Sequence, residues 1–108
     1  MVECNPYLDG LFGSLSDAVR RDILGRLIHA ASTVGEIARN YEISLAAVAK
    51  HLSVLEKAHL VVKQRRGKEQ VVSLAPQAFR DASEYLARYE ALWNFRFDAL
   101  DEVLKEDA

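Results

Sequence analysis

Apolar residues in this chain recur at helical spacing up to Leu60, and immediately beyond it the pattern changes to two short β-prone runs. Before the change, Leu45, Val48, Leu52 and Leu55 follow one another at three, four and three residues, the signature of one buried helix face. Ser44 precedes the row and offers an N-cap hydroxyl, so the spacing predicts a helix ending near Lys57. Upstream, Thr33-Val34-Gly35-Glu36 matches a capping box, with a hydroxyl at the N-cap and a carboxylate three residues on. It predicts a short helix to Asn40 that buries Ile37 and Ala38. Tyr41-Glu42-Ile43 leaves a connector of three residues, which makes residues 33–57 a helix-turn-helix candidate. After Leu60, Val61-Val62-Lys63-Gln64-Arg65 and Gln70-Val71-Val72-Ser73-Leu74 flank Arg66-Gly67-Lys68-Glu69. Residues 61–74 are therefore expected to form a β-hairpin with a basic tip.

Helical patterns lie on both sides of this unit. Tyr7, Leu8, Leu11, Phe12 and Leu15 predict a short apolar helix behind Pro6. A second helix is expected from Asp17, with Asp17 or Ser16 as N-cap. In it Val19, Ile23 and Leu27 form one apolar row, and Leu24, Ile28 and Ala31 the next. Arg20, Arg21, Asp22 and Arg26 lie away from both rows. Pro76 suits the first turn of a last helix. There Phe79, Ala82, Leu86, Tyr89, Trp93, Leu100 and Val103 mark a stripe, with Phe97 filling the place taken by Arg96. A bend between Arg80 and Ser83 is compatible with the pattern.

A chain of 108 residues, half of them hydrophobic, has room for one packed domain. No apolar run approaches the roughly 18 residues of a membrane span. The first 15 residues carry acids and no basic segment, so no secretory signal is expected, and the chain reads as cytoplasmic, without a membrane partner. Cys4 is the single cysteine, which excludes an intrachain disulfide and a four-thiolate zinc site. The net charge of −2 hides an asymmetry. Residues 1–38 carry −2, residues 39–75 carry +4 and residues 76–108 carry −4. A basic middle between acidic ends points to one face built for a polyanion.

Helix, helix, helix-turn-helix, basic hairpin, long helix is the order of a winged helix-turn-helix domain, mainly α with a small β-hairpin. Three segments carry a further resemblance. The run from Leu15 to Leu24, Val34-Gly35-Glu36-Ile37-Ala38, and the run from Ser44 to Val61 resemble ArsR-type repressors, across roughly residues 10–105. Lys50-His51-Leu52 with Val54-Leu55 behind it is the most specific part. Tyr89, Trp93, Arg96 and Leu100 are similar to a branch without metal sites. Three positions depart from the family pattern. Ala49 stands where a serine is common, Leu45 where a polar residue is common, and His59 where a glycine usually stops the helix in the left-handed conformation. The first two departures bear on base preference.

DNA recognition needs phosphate contacts for affinity and groove contacts for sequence. Val48, Leu52 and Leu55 point one way on a helical wheel, and Ala46, Lys50, Ser53 and Lys57 the other. The candidate contacts to a double-stranded operator are Ser44, Ala46, Ala47, Lys50, His51, Ser53 and Lys57, with Arg65, Arg66 and Lys68 on the hairpin. Ala46 and Ala47 are small enough for close approach to a major groove, where a methyl can touch thymine. Lys50 is placed to reach a guanine edge or a phosphate. His51 sits at the edge of the buried face, either on a phosphate or as a packing residue. His29 complements the end of its helix.

Surplus apolar surface at the chain ends predicts a homodimer. Residues 1–16 and 76–108 supply its helices, and Tyr7, Leu8, Leu11, Phe12, Leu86, Tyr89, Trp93, Phe97 and Leu100 its interface. The resemblance implies the same pairing and a repressor. No cofactor or metal is expected: residues 33–41 hold no cysteine and residues 75–108 no histidine, the places where metal-sensing members carry ligands. No phosphate-cradling glycine loop, nucleophile elbow or HExxH is present, so no enzyme activity is expected. The alternative is an adaptor that docks protein through its last helix; Lys50, Arg65, Arg66 and Lys68 together speak for DNA. An unidentified small-molecule effector stays open.

Overall fold

The computed structural model of the chain describes residues 2–106, with the side chains of Phe97 and Glu106 outside that description. Asn5 opens α1 (Pro6–Ser14) by accepting the Leu8 N–H at 3.1 Å, and Pro6 takes the first turn, where a missing N–H removes no bond. Its last turn has no basic residue of its own. The exposed carbonyls are taken by arginines of the next helix: Arg20 Nε donates to Ser14 O at 2.7 Å and Arg21 Nη1 to Leu15 O at 2.8 Å. This gives a task to two cations that the apolar pattern only set aside.

That helix, α2 (Ala18–His29), is capped by Asp17, whose Oδ1 accepts the Arg20 N–H at 3.1 Å. Ile23, Leu24 and Leu27 are buried and Val19 is half-buried. The second expected row does not form. Ile28 is 69% exposed, and Ala31 lies beyond the extended C-cap Ala30, off the helix.

A two-residue strand, β1 (Ser32–Thr33), comes next; it is too short to leave a period in the sequence. Thr33 also caps α3 (Val34–Ala38), its Oγ1 accepting the Glu36 N–H at 3.1 Å. The helix stops before Asn40, and the connector is longer than three residues. Asn40 and Tyr41 make i→i−3 bonds to Ile37 O and Ala38 O, which tightens the chain into a turn. Ser44 caps α4 (Leu45–Lys57) through the Ala47 N–H at 3.0 Å. Val48, Leu52 and Leu55 are fully buried, whereas Leu45 is 60% exposed and does not belong to their face.

His59 ends α4 with φ 62°. The Leu60 N–H reaches Leu55 O and the His59 N–H reaches Glu56 O, both at 3.0 Å. These are the paired bonds of a Schellman stop, with histidine in the left-handed position. The chain then enters β2 (Val61–Arg66) and β3 (Glu69–Leu74), joined by Gly67-Lys68. Gly67 has φ 62° at the first central position, where a type II′ turn needs glycine. The sheet is antiparallel in the order β1-β3-β2, with Ser32 opposite Val72 and Val61 opposite Leu74.

Pro76 starts α5 (Pro76–Glu106), an unbroken helix of 31 residues without the bend the pattern allowed. One core joins Leu11, Ile23, Leu27, Ile37, Val48, Leu52, Leu55, Leu60, Val61, Val72 and Ala78, so α1, α2, the motif helices, the hairpin and the start of α5 pack together. Leu11 is therefore interior to the chain and unavailable as the interface residue expected. Beyond Tyr85, α5 leaves this core, and the chain measures 68 × 32 × 22 Å.

Candidate nucleic-acid interface

The three buried residues of α4 fix which side of it faces outward. Ala46, Lys50 and Lys57 are exposed there, and Ala47 and Ser53 are half-buried. Ser44 is exposed at the N-terminus, its Oγ turned back onto the Ala47 N–H. Leu45 and Ala49 are exposed on the same helix. Neither is among the expected contacts, though both are departures that bear on base preference; Leu45 is expected inward because its spacing fits the buried row. Its position was the available signal: at the first helical residue, a side chain can clear the core its row predicts.

His51 is half-buried against α2. Its Nδ1 lies 3.8 Å from Asp17 Oδ1 and 3.4 Å from Arg20 Nη1. Of the two roles open to it, the structure supplies the packing partners, through that nitrogen. The same Asp17 carboxylate accepts the Arg20 backbone N–H, and this bond, helped by the charges of His51 and Arg20, holds it below its ordinary pKa. The outward helix is thus registered against α2 by polar contacts as well as by core packing.

A second anchor holds the turn that precedes α4. The Tyr41 hydroxyl donates to Asp22 Oδ2 at 2.6 Å, and Arg26 Nε donates to the same oxygen at 2.9 Å. The Arg26 guanidinium lies 5.8 Å from the Tyr41 ring centroid. Partial burial and the Asp22 carboxylate push the Tyr41 hydroxyl up to about 12.

On the hairpin, Arg65, Arg66 and Lys68 are exposed, and Arg65 Nε donates to Gly67 O at 3.3 Å, which steadies the tip. Lys63 lies 3.6 Å from Glu56, pairing β2 with the end of α4. The tip cations and Lys50 are left to solvent, an arrangement able to meet a polyanion.

The residues expected at a dimer interface divide into two groups. Tyr7, Leu8 and Phe12 are half-buried between α1 and α5. The Tyr7 hydroxyl donates to Asp81 Oδ2 at 2.6 Å, and the Phe12 ring meets that of Tyr85 at a tilt, with centroids 5.7 Å apart. Leu86, Tyr89, Trp93 and Leu100 are more than half exposed along α5. The Phe97 side chain lies outside the described residues. Among the described residues, no three His, Cys, Asp or Glu side chains come together as a metal site, and no helix is long and apolar enough to cross a membrane.

Comparison with known proteins follows the same outline. A helix-turn-helix domain family matches residues 15–64. The HTH-type transcriptional regulator Rv2034 of Mycobacterium tuberculosis is 41% identical over 68 residues, 63% of this chain and 64% of Rv2034, so the chain spans under two thirds of that relative. The uncharacterized HTH-type transcriptional regulator YuzN of Bacillus subtilis is 41% identical over 75 residues, 63% of this chain and 82% of YuzN. The transcriptional repressor SdpR of Bacillus subtilis is 28% identical over 82 residues, 76% of this chain and 91% of SdpR. Among solved structures, the ArsR family transcriptional regulator RHA00566 superposes with a TM-score of 0.79 at 29% identity, covering 87% of this chain and 97% of its own. A homodimeric winged helix-turn-helix DNA-binding domain from Mycobacterium bovis shares the fold, with a TM-score of 0.63 at 22% identity, covering 85% of this chain and 94% of its own. Motif, hairpin, long last helix and relatives agree: the chain belongs to the ArsR-type winged helix-turn-helix family of transcriptional regulators.

Proposed function

We propose that this protein is a homodimeric repressor that binds a pseudo-palindromic duplex operator in the cytoplasm, as one winged helix-turn-helix unit per chain and without a metal signal. The observation that carries this reading is the pairing of an outward-facing α4, small at its N-terminus and bearing Lys50, with a hairpin tip whose Arg65, Arg66 and Lys68 are exposed. In the proposed complex α4 enters the major groove and the tip cations lie on phosphates. Phosphate contacts release counterions and give affinity, and groove contacts give sequence. SdpR, a repressor by name, and the homodimeric Mycobacterium bovis domain support the regulatory sign and the assembly.

Duplex selection from a random pool, followed by binding across salt, tests the proposal. A preferred duplex should emerge, with affinity falling steeply as salt rises. Replacing Arg65, Arg66 or Lys68 should weaken all duplexes alike, and replacing Lys50 should weaken the preferred one most. Binding without salt dependence, or without preference for any duplex, would overturn it.

A further inference from the structure

Five consecutive residues at the start of α4, Leu45-Ala46-Ala47-Val48-Ala49, carry no side chain able to form a hydrogen bond. Val48 is buried, but Leu45, Ala46 and Ala49 are exposed and Ala47 is half-buried. Ile43, just before the cap, is 39% exposed. The Ser44 hydroxyl is turned onto the Ala47 N–H at 3.0 Å. The next polar side chain on the exposed face is Lys50, more than one full turn into the helix. Leu45, 60% exposed at the helix start, adds nothing to the core and is open to whatever meets this end of α4.

We infer that the first turns of α4 read thymine methyl groups, with Leu45 as the specificity-determining side chain. The inference rests on the DNA-binding role proposed above and narrows what that site recognises. In motifs of this kind the N-terminal residues of the inserted helix meet base edges. A surface without donors or acceptors there cannot read the polar pattern of guanine, cytosine or adenine. The thymine C5-methyl is the one apolar group that an unmodified base pair displays in the major groove. Leu45 is long enough to cover such a methyl, while Ala46 and Ala49 let the helix come close. Lys50 and the hairpin tip supply the positive charge that holds a duplex against this surface. The preferred half-site should therefore contain thymines where the start of α4 lies.

The test uses the full chain and the duplex recovered by selection from a random pool. Each thymine is replaced in turn by deoxyuridine, which deletes only the methyl. Affinity should fall about fourfold at one or two thymines per half-site, the effect of leaving one methyl unburied. In Leu45→Ser the thymine and deoxyuridine duplexes should bind alike at those positions, while the folded circular dichroism spectrum and the salt dependence stay as in the parent. Ala49→Ser should keep the Leu45-dependent discrimination. A preferred duplex that binds equally well with every thymine replaced would overturn the inference and leave the operator-binding proposal standing. So would methyl discrimination that survives in Leu45→Ser. Failure to recover any preferred duplex would overturn the operator proposal itself, and this inference with it.

Discussion

The Tyr41 hydroxyl, in the turn between the two motif helices, donates a 2.6 Å hydrogen bond to the Asp22 carboxylate of α2. The bond joins the segment that aims α4 to a helix outside the motif. Arg26 shares the same carboxylate oxygen and lies against the Tyr41 ring, so three side chains hold one turn. Core packing of Val48, Leu52 and Leu55 sets how α4 is rotated; this polar group fixes where its N-terminal end is carried.

Tyr41→Phe keeps the ring and deletes the hydroxyl. Stability should fall by the small amount expected for a hydrogen bond to a half-exposed, screened carboxylate. Affinity for the preferred duplex should fall more than affinity for random duplexes, because the turn positions α4 and not the hairpin cations. The Asp22 pKa should rise toward its ordinary value, since the Tyr41 bond is the chief cause of its depression. Carboxylate titration followed by NMR, alongside duplex binding, checks both outcomes.

The pH dependence of stability follows from the same contacts. Asp17, Asp22 and Asp81 are held below the ordinary aspartate value of 3.8, chiefly by the Arg20 backbone N–H, the Tyr41 hydroxyl and the Tyr7 hydroxyl respectively. A carboxylate depressed in the folded chain stabilises it above the unfolded pKa. Its contribution should be full at neutral pH and be lost as pH drops from 3.8 through the lower folded values. At the alkaline end Tyr7 and Tyr41 are raised, Tyr41 to about 12 from 10.0. Their contribution is present below 10 and should be lost as pH climbs through the raised folded values, about 12 for Tyr41. Urea denaturation across pH should show both limbs, with the alkaline one flatter in Tyr41→Phe.

His59 gives a prediction about the helix stop. Its φ of 62° is a position where glycine carries no side-chain penalty. His59→Gly should raise stability by about 0.5–1 kcal/mol, the left-handed penalty of roughly 1–2 kcal/mol offset by the backbone entropy of glycine, less whatever is lost with the Tyr7 ring contact at 5.9 Å. His59→Val should lower it by roughly 1–3 kcal/mol, because a β-branched residue fits this conformation poorly. Urea midpoints with unchanged slopes provide the measurement.

The two helices of the motif and the hairpin were legible because each carries its own period and its own punctuation, Ser44, Thr33 and Gly67 among them. The stop at His59 was legible from its place in a familiar run. What escaped has a common cause. β1 is two residues long, and two residues have no period. Leu45 and Ile28 fit a helical row, yet a row describes direction around an axis and not what lies opposite. Leu11 was assigned outward for the converse reason: an apolar residue on a short helix looks spare until α4 and α5 pack against that helix. Arg20 and Arg21 were placed off the apolar rows and given no task, because the carbonyls they satisfy belong to the end of another helix. The candidate site was legible in its cations and its small residues, and the contacts that aim it were not.

The last helix carries the prediction about assembly. In α5 the core ends near Tyr85, yet Leu86, Tyr89, Leu92, Trp93, Phe95, Leu100, Val103 and Leu104 are each more than half exposed in the single chain. A contiguous apolar surface of that size calls for a partner. A second copy of α5 offers the same surface, and pairing about a two-fold axis would bury both at once. The half-buried Tyr7, Leu8 and Phe12 of α1 border it. Such a dimer would set two α4 helices about 34 Å apart, one turn of duplex, so that each chain reads one half-site. Trp93→Asp combined with Leu100→Asp places charge in the middle of the surface and leaves the chain's own core untouched. Sedimentation should show the parent as a dimer at micromolar concentration and the double variant as a folded monomer. Operator affinity should drop by roughly a hundredfold or more, since binding of the second half-site is no longer intramolecular. A monomeric parent, or a double variant that remains a tight dimer, would place the interface elsewhere.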